Sequence, residues 1–82
     1  MGVADMRAAF NAVSEPRYSC QRATLRYQNH DQIQFQILTF SGSDADGKPF
    51  SVQSEQLAPN TDVNLAAAAV AQALIDKKEP AA

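Results

Sequence analysis

The sequence predicts a small α+β domain in which two helices bracket a three-stranded antiparallel sheet. Three observations predict this αβββα order. Apolar residues recur at helical spacing near both ends of the chain, apolar and polar residues alternate in its middle, and polar turns separate these segments. With 82 residues, 45% of them hydrophobic, the chain fits one globular domain over residues 1–82. We expect residues 79–82 to be a frayed tail.

The first helix is predicted over residues 3–15. Its apolar stripe consists of Val3, Met6, Phe10 and Val13. Pro16 ends the helix, because proline disfavours the helical conformation of the residue before it.

Two strands follow, predicted over residues 17–29 and 32–40. Alternation in the first places Ala23, Leu25 and Tyr27 on one face and Tyr18, Arg22, Thr24 and Arg26 on the other. In the second, Ile33, Phe35 and Ile37 alternate with Gln32, Gln34 and Gln36. We expect the helices to cover the isoleucine side. Leu38 and Phe40 then fall on the glutamine side, so either a bulge resets the register or that end is also covered.

The third strand is predicted over residues 49–57, after a loop in which Asp46-Gly47 is a strong hairpin signal. Phe50 and Val52 are expected to point inward.

The second helix is predicted from an N-cap at Thr61 or Asp62 to about residue 76 or 78. Its expected apolar face is Leu65, Ala66, Ala69, Val70, Ala73 and Leu74. Ile75 lies off that stripe and needs a partner of its own. Short connections favour a meander in the order 1-2-3, with both helices on one face.

This order and length resemble the double-stranded RNA-binding domain over nearly the whole chain. The second helix of that family begins with a lysine cluster that grips phosphates, whereas the corresponding segment here, 62–66, carries an acid and no lysine. That family's histidine-bearing loop matches Asn29-His30-Asp31 only loosely, without its Gly-Pro context. The resemblance therefore implies the topology and not the RNA function.

No arrangement of residues typical of an enzyme, a cofactor site or a metal site stands out. Asp44-Ala45-Asp46-Gly47 partly matches a calcium loop, but strand residues follow where ligands are required, so a hairpin turn is the preferred interpretation. Cys20 and His30 are ten residues apart on one predicted strand, about 30 Å when extended, and cannot form a nucleophile pair. We expect no catalytic, metal-binding or cofactor-binding residues.

The open face of the predicted sheet is the candidate interaction face, because arginine and tyrosine are enriched at interfaces and an exposed Leu-Phe pair would add an apolar patch. A plain solvated face is the competing interpretation. The candidate residues are Tyr18, Arg22, Thr24, Arg26, Gln34, Gln36, Leu38, Phe40 and Gln53.

We therefore expect a non-enzymatic module that binds another protein or itself through this face. The alternative is weak nucleic-acid binding through Arg17, Arg22 and Arg26, with Tyr18 as a stacking platform. A net charge of −2 argues against that alternative. The chain begins without the basic and apolar stretches of a secretory signal, and its longest apolar run, 65–71, is too short to cross a membrane. We expect a cytoplasmic location and no membrane partner.

Overall fold

The computed structural model describes residues 3–78 and has the predicted order of elements. These are α1 (Val3–Ser14), β1 (Tyr18–His30), β2 (Ile33–Asp44), β3 (Pro49–Gln53) and α2 (Val63–Lys78). The strands form one antiparallel sheet in the order β1-β2-β3. The predicted α+β class and αβββα order are confirmed. The tail predicted at residues 79–82 lies outside the described residues.

β1 and β2 form a long hairpin that is closed by a two-residue turn. Asp31 and Gln32 both have positive φ, at 51° and 67°. A turn with two such residues matches the twist of the flanking strands, which favours it in tight hairpins. β2 also continues past the predicted end at residue 40, because its last residues pair with the start of β1, as far as Tyr18 opposite Asp44.

A β-bulge in β1 changes which residues share a face. The register shifts between Cys20 and Arg22, so Gln21 is the extra residue. Gly42 lies across from it, and a Cβ at that position would collide with the backbone of Ser19 and Gln21. The bulge therefore needs a glycine opposite it. Before the bulge, the even-numbered residues of β1 lie on the face that the odd-numbered ones occupy after it.

Both helices pack on one face of the sheet, as predicted, and this is called the covered face. The main core cluster comprises Met6, Phe10, Tyr18, Cys20, Ala23, Leu38, Phe40, Ala67, Ala71, Leu74 and Ile75. Phe10 of α1 stacks on Phe40 of β2 with ring centroids 4.6 Å apart, and Tyr18 meets Phe50 edge-on at 5.3 Å. Aromatic pairs of this kind contribute beyond their buried area, by about 1 kcal/mol.

α2 buries a different face from the predicted one. Ala67, Ala71, Leu74 and Ile75 are buried, whereas Leu65 is 70% exposed. The helix packs mainly on α1 rather than on the sheet. The small side chains at 67 and 71, both fully buried, allow α1 to approach closely. At the start of α2, the Asp62 carboxylate accepts hydrogen bonds from the backbone N–H groups of Asn64 and Leu65. One of the two predicted N-caps is thereby confirmed.

Candidate interaction face

The face of the sheet opposite the helices is called the open face. Pairing partners in an antiparallel sheet lie on the same face, so the register assigns its members. From β1 these are Ser19, Arg22, Thr24, Arg26, Gln28 and His30; from β2, Ile33, Phe35, Ile37, Thr39, Ser41 and Ser43; from β3, Pro49, Ser51 and Gln53.

The nine residues predicted to share this face are divided between the two faces. The open face carries Arg22, Thr24, Arg26 and Gln53, whereas the covered face carries Tyr18, Gln34, Gln36, Leu38 and Phe40. The prediction of one common surface is therefore wrong for the second group. For Tyr18, the reason is the bulge at Gln21, which moves it to the covered face, where it is only 8% exposed.

Leu38 and Phe40 are fully buried rather than solvent-facing. β2 pairs with β1 in one continuous register from Ile33 to Ser41, so no bulge resets it there. The glutamine side of β2 is itself the covered side, because its partners across the sheet include Leu25, opposite Leu38, and Val52, opposite Phe40. The helices cover this three-stranded end of the sheet.

Gln36 has a structural role. Its side-chain amide donates hydrogen bonds to the carbonyl oxygens of Ala58 and Pro59, at 3.0 and 2.7 Å. Its backbone exchanges two further bonds with Leu57. The side chain is buried and ties the segment after β3 to the middle strand, so it is not free to contact a partner. Gln34, two residues away on the same face, is exposed.

An apolar row runs along β2 on the open face, although no helix covers it. Ile33 is 55% exposed, Phe35 is half-buried, and Ile37 is 4% exposed yet lies outside the main core cluster. Ile37 is paired with Arg26 and Phe35 with Gln28. Long side chains of this kind lay their aliphatic stems over neighbouring apolar surface while their polar ends stay in water. This row was predicted to face the helices, and that prediction is wrong.

The charges on the open face are all positive. Arg22 and Arg26 lie four residues apart on β1, with Thr24 between them on the same face, and no Asp or Glu occupies an open-face position of the three strands. Within residues 3–78, neither arginine makes an ion pair. A chain with net charge −2 thus has a cationic surface beside an apolar row.

The outer edge of β1 meets α1 between Tyr18, whose carbonyl accepts a hydrogen bond from the Ser14 hydroxyl at 2.7 Å, and the bulge. The side-chain amide of Asn11 accepts a hydrogen bond from the backbone N–H of Cys20 at 2.7 Å and donates one to its carbonyl at 3.1 Å. Arg7 donates to the carbonyl of Gln21 at 3.4 Å. These side chains replace a neighbouring strand at that point. The sequence offered no signal for this pairing, since Asn11 reads as an ordinary polar residue on the outer side of a helix.

The remaining titratable residues singled out in the sequence do not converge. The Cys20 thiol is buried and donates to the carbonyl of Arg22 at 3.2 Å, and burial raises the pKa of this thiol. His30 and Asp31 form an exposed pair, 3.3 Å apart, at the hairpin turn. The Asp44 carboxylate accepts the backbone N–H groups of Asp46 and Lys48, both at 2.9 Å, so it stabilises the predicted turn.

Between residues 3 and 78, no three His, Cys, Asp or Glu side chains cluster as metal ligands. None of the described helices has the length and apolar character needed to cross a membrane. No protein-family model, curated protein or solved structure significantly matches the chain.

Proposed function

We propose that this protein is a cytoplasmic, non-enzymatic module that binds an acidic, partly apolar segment of another protein through its open face. The observation that carries the proposal is the composition of that face. Two arginines without carboxylate neighbours on their face lie on the strand next to a partly exposed apolar row, in a chain that is acidic overall.

Each part of the face has a matching requirement in the partner. A guanidinium group binds a carboxylate through two parallel hydrogen bonds, so Arg22 and Arg26 favour Asp or Glu. Ile33 and Phe35 offer apolar surface, and burying it against a partner stabilises the complex by roughly 25 cal/mol per Å². A partner with both features satisfies the whole surface, whereas a purely acidic one leaves the apolar row in water.

The test is selection from a displayed peptide library on the wild-type protein and on the Arg22→Glu/Arg26→Glu variant. We expect wild-type selections to enrich peptides that combine Asp or Glu with apolar residues. We expect the variant to bind those peptides at least about tenfold more weakly, because two favourable contacts become repulsive.

The matched control is Lys48→Glu/Lys77→Glu, which changes the net charge equally but lies off the open face. This control should keep wild-type affinity. Equal weakening in both variants would mean that net charge alone governs binding. Enrichment of basic or uncharged peptides, or affinity unchanged by the arginine reversals, would overturn the proposal.

Nucleic acid is the second candidate, because two arginines along one strand can also bind phosphates of a nucleic-acid backbone. The stacking platform predicted for it, Tyr18, is buried against the helices and is not accessible to bases. The half-buried Phe35 is the aromatic residue left on the open face. The test uses a labelled single-stranded oligonucleotide. Binding at low salt that is lost at physiological salt would favour this alternative, provided that the arginine reversals weaken oligonucleotide binding more than they weaken peptide binding.

A further inference from the structure

The outer edge of β1 presents a row of backbone groups without partners in the described chain. The backbone N–H and C=O groups of Gln36 and Leu38 point away from β1, toward the segment that follows β3. The residues opposite them in β1, Tyr27 and Leu25, therefore turn their own N–H and C=O groups outward, because such groups alternate along an antiparallel pair. By the same alternation, those of Ala23 and Asn29 also point outward.

Nothing in residues 3–78 occupies this part of the edge. The side chains of Asn11 and Arg7 stop at Cys20 and Gln21. Edges of this kind are normally protected by lysine, proline or a bulge. The stretch 22–30 contains no lysine and no proline, and the bulge of β1 lies before this stretch, at Gln21. Tyr27, 57% exposed, adds apolar surface beside the open edge.

We propose that two copies of this protein pair antiparallel along this edge, β1 to β1, and merge their sheets into one. Charge selects the register. A two-fold axis at Thr24 would place Arg22 against the partner's Arg26, and an axis at Arg26 would place two copies of Arg26 opposite each other. Like charges directly opposite each other destabilise a strand pair.

An axis at Leu25 avoids both conflicts. It places Arg26 opposite the partner's Thr24 and Arg22 opposite the partner's Gln28. On the covered face, Leu25 meets its own copy, and Tyr27 meets the partner's Ala23. An axis at Tyr27 would instead place Leu25 against the polar Asn29. The Leu25 register also forms about six backbone hydrogen bonds, two at each of three pairs.

Disulfide trapping tests this register directly. In a Cys20→Ala background, the single variants Thr24→Cys and Arg26→Cys are mixed and oxidised. In the proposed register, positions 24 and 26 of opposite chains form a close pair with Cα atoms about 4.5 Å apart, which a disulfide can span. We expect mass spectrometry to find mainly the mixed disulfide.

Each single variant oxidised alone is the control. In the proposed register, position 24 of one copy and position 24 of the other are diagonal neighbours, and so are the two copies of position 26. Their Cα atoms are about 7–8 Å apart, which is too far for a disulfide without movement of the backbone. Cross-linking that is no greater in the mixture than in the controls would overturn the proposed register.

A proline variant tests the pairing without relying on cysteines. Leu25→Pro removes an outward N–H that β2 does not use, and proline is tolerated at sheet edges. Leu25→Ala is its matched control, since it loses similar packing but keeps the N–H. By sedimentation velocity, with thermal melts to verify folding, we expect the proline variant to dimerise at least about tenfold more weakly than the alanine variant. A wild-type protein that stays monomeric at millimolar concentration would overturn the proposal itself.

This pairing does not depend on the open-face proposal. The edge uses backbone groups in the plane of the sheet, whereas the open face uses side chains above it. A failed peptide selection would therefore leave the dimer intact, and a monomeric protein would leave the peptide site intact.

Discussion

Two side-chain amides satisfy backbone groups that no regular strand pairing reaches. Asn11 bonds both the N–H and the C=O of Cys20 at the outer edge of β1. Gln36 bonds two successive carbonyls, of Ala58 and Pro59, beyond the end of β3. Each hydrogen bond of this kind contributes about 1 kcal/mol to stability. Asn11 and Gln36 therefore stabilise the outer edge of β1 and the segment that follows β3, respectively.

Replacing Gln36 with leucine should destabilise the fold by about 2 kcal/mol. The substitution keeps a similar volume but removes two hydrogen bonds, each of which contributes about 1 kcal/mol. Urea denaturation measures the change. The control is Gln34→Leu, in the same strand and on the same face but exposed, where the effect should stay within about 0.5 kcal/mol. Equal effects at both positions would contradict a structural role for Gln36.

At the level of elements, the buried face of α2 follows from its neighbour rather than from its own pattern. Alanine is so frequent in this helix that several faces are almost equally apolar, and periodicity does not choose among them. Packing against α1 determines that the face with Ala67 and Ala71 at its centre is the buried one. Leu65 is left on the outside, although it is one of the largest apolar residues in the helix.

Alanine substitutions at Ile75 and Leu65 should therefore differ sharply in effect. Ile75→Ala removes buried volume from the core cluster and should cost about 2–4 kcal/mol. Leu65→Ala removes a side chain that is 70% exposed and should change stability by less than about 0.5 kcal/mol. Chemical denaturation of both variants measures this. The opposite ranking would mean that α2 is rotated about its axis, as its sequence pattern had suggested.

The order of elements could be predicted from the sequence, but which strand residues lie on which face of the sheet could not. Pro16, the Asp46-Gly47 turn and the Asp62 cap act locally, so they could be read from neighbouring residues. The bulge at Gln21 depends on a glycine 21 positions later, across the sheet. β2 has apolar residues on both sides, and only the position of the helices decides which side is covered. Both failures therefore involve contacts between distant segments.

The whole molecule is elongated because the β1–β2 hairpin extends past the helices. Its principal dimensions are 42 × 28 × 19 Å. Every residue from Arg26 to Gln34 is exposed, whereas the buried residues of β1 lie between Tyr18 and Ala23. The stable core thus sits at one end, and the partly apolar surfaces proposed for binding extend toward the other. Local stability should fall along the hairpin toward its turn, because few buried contacts support it there.

Amide hydrogen exchange should show both this gradient and the state of the β1 edge. The N–H groups of Thr24 and Arg26 point toward β2 and should be protected, with protection decreasing at Gln28. Those of Leu25 and Tyr27 point outward and should exchange nearly freely in dilute protein. If two copies pair along β1, these two amides should become protected as concentration rises, while Thr24 changes little. Protection of Leu25 and Tyr27 at every concentration would mean that the edge is already occupied within one chain. Free exchange at every concentration would mean that no dimer forms through it.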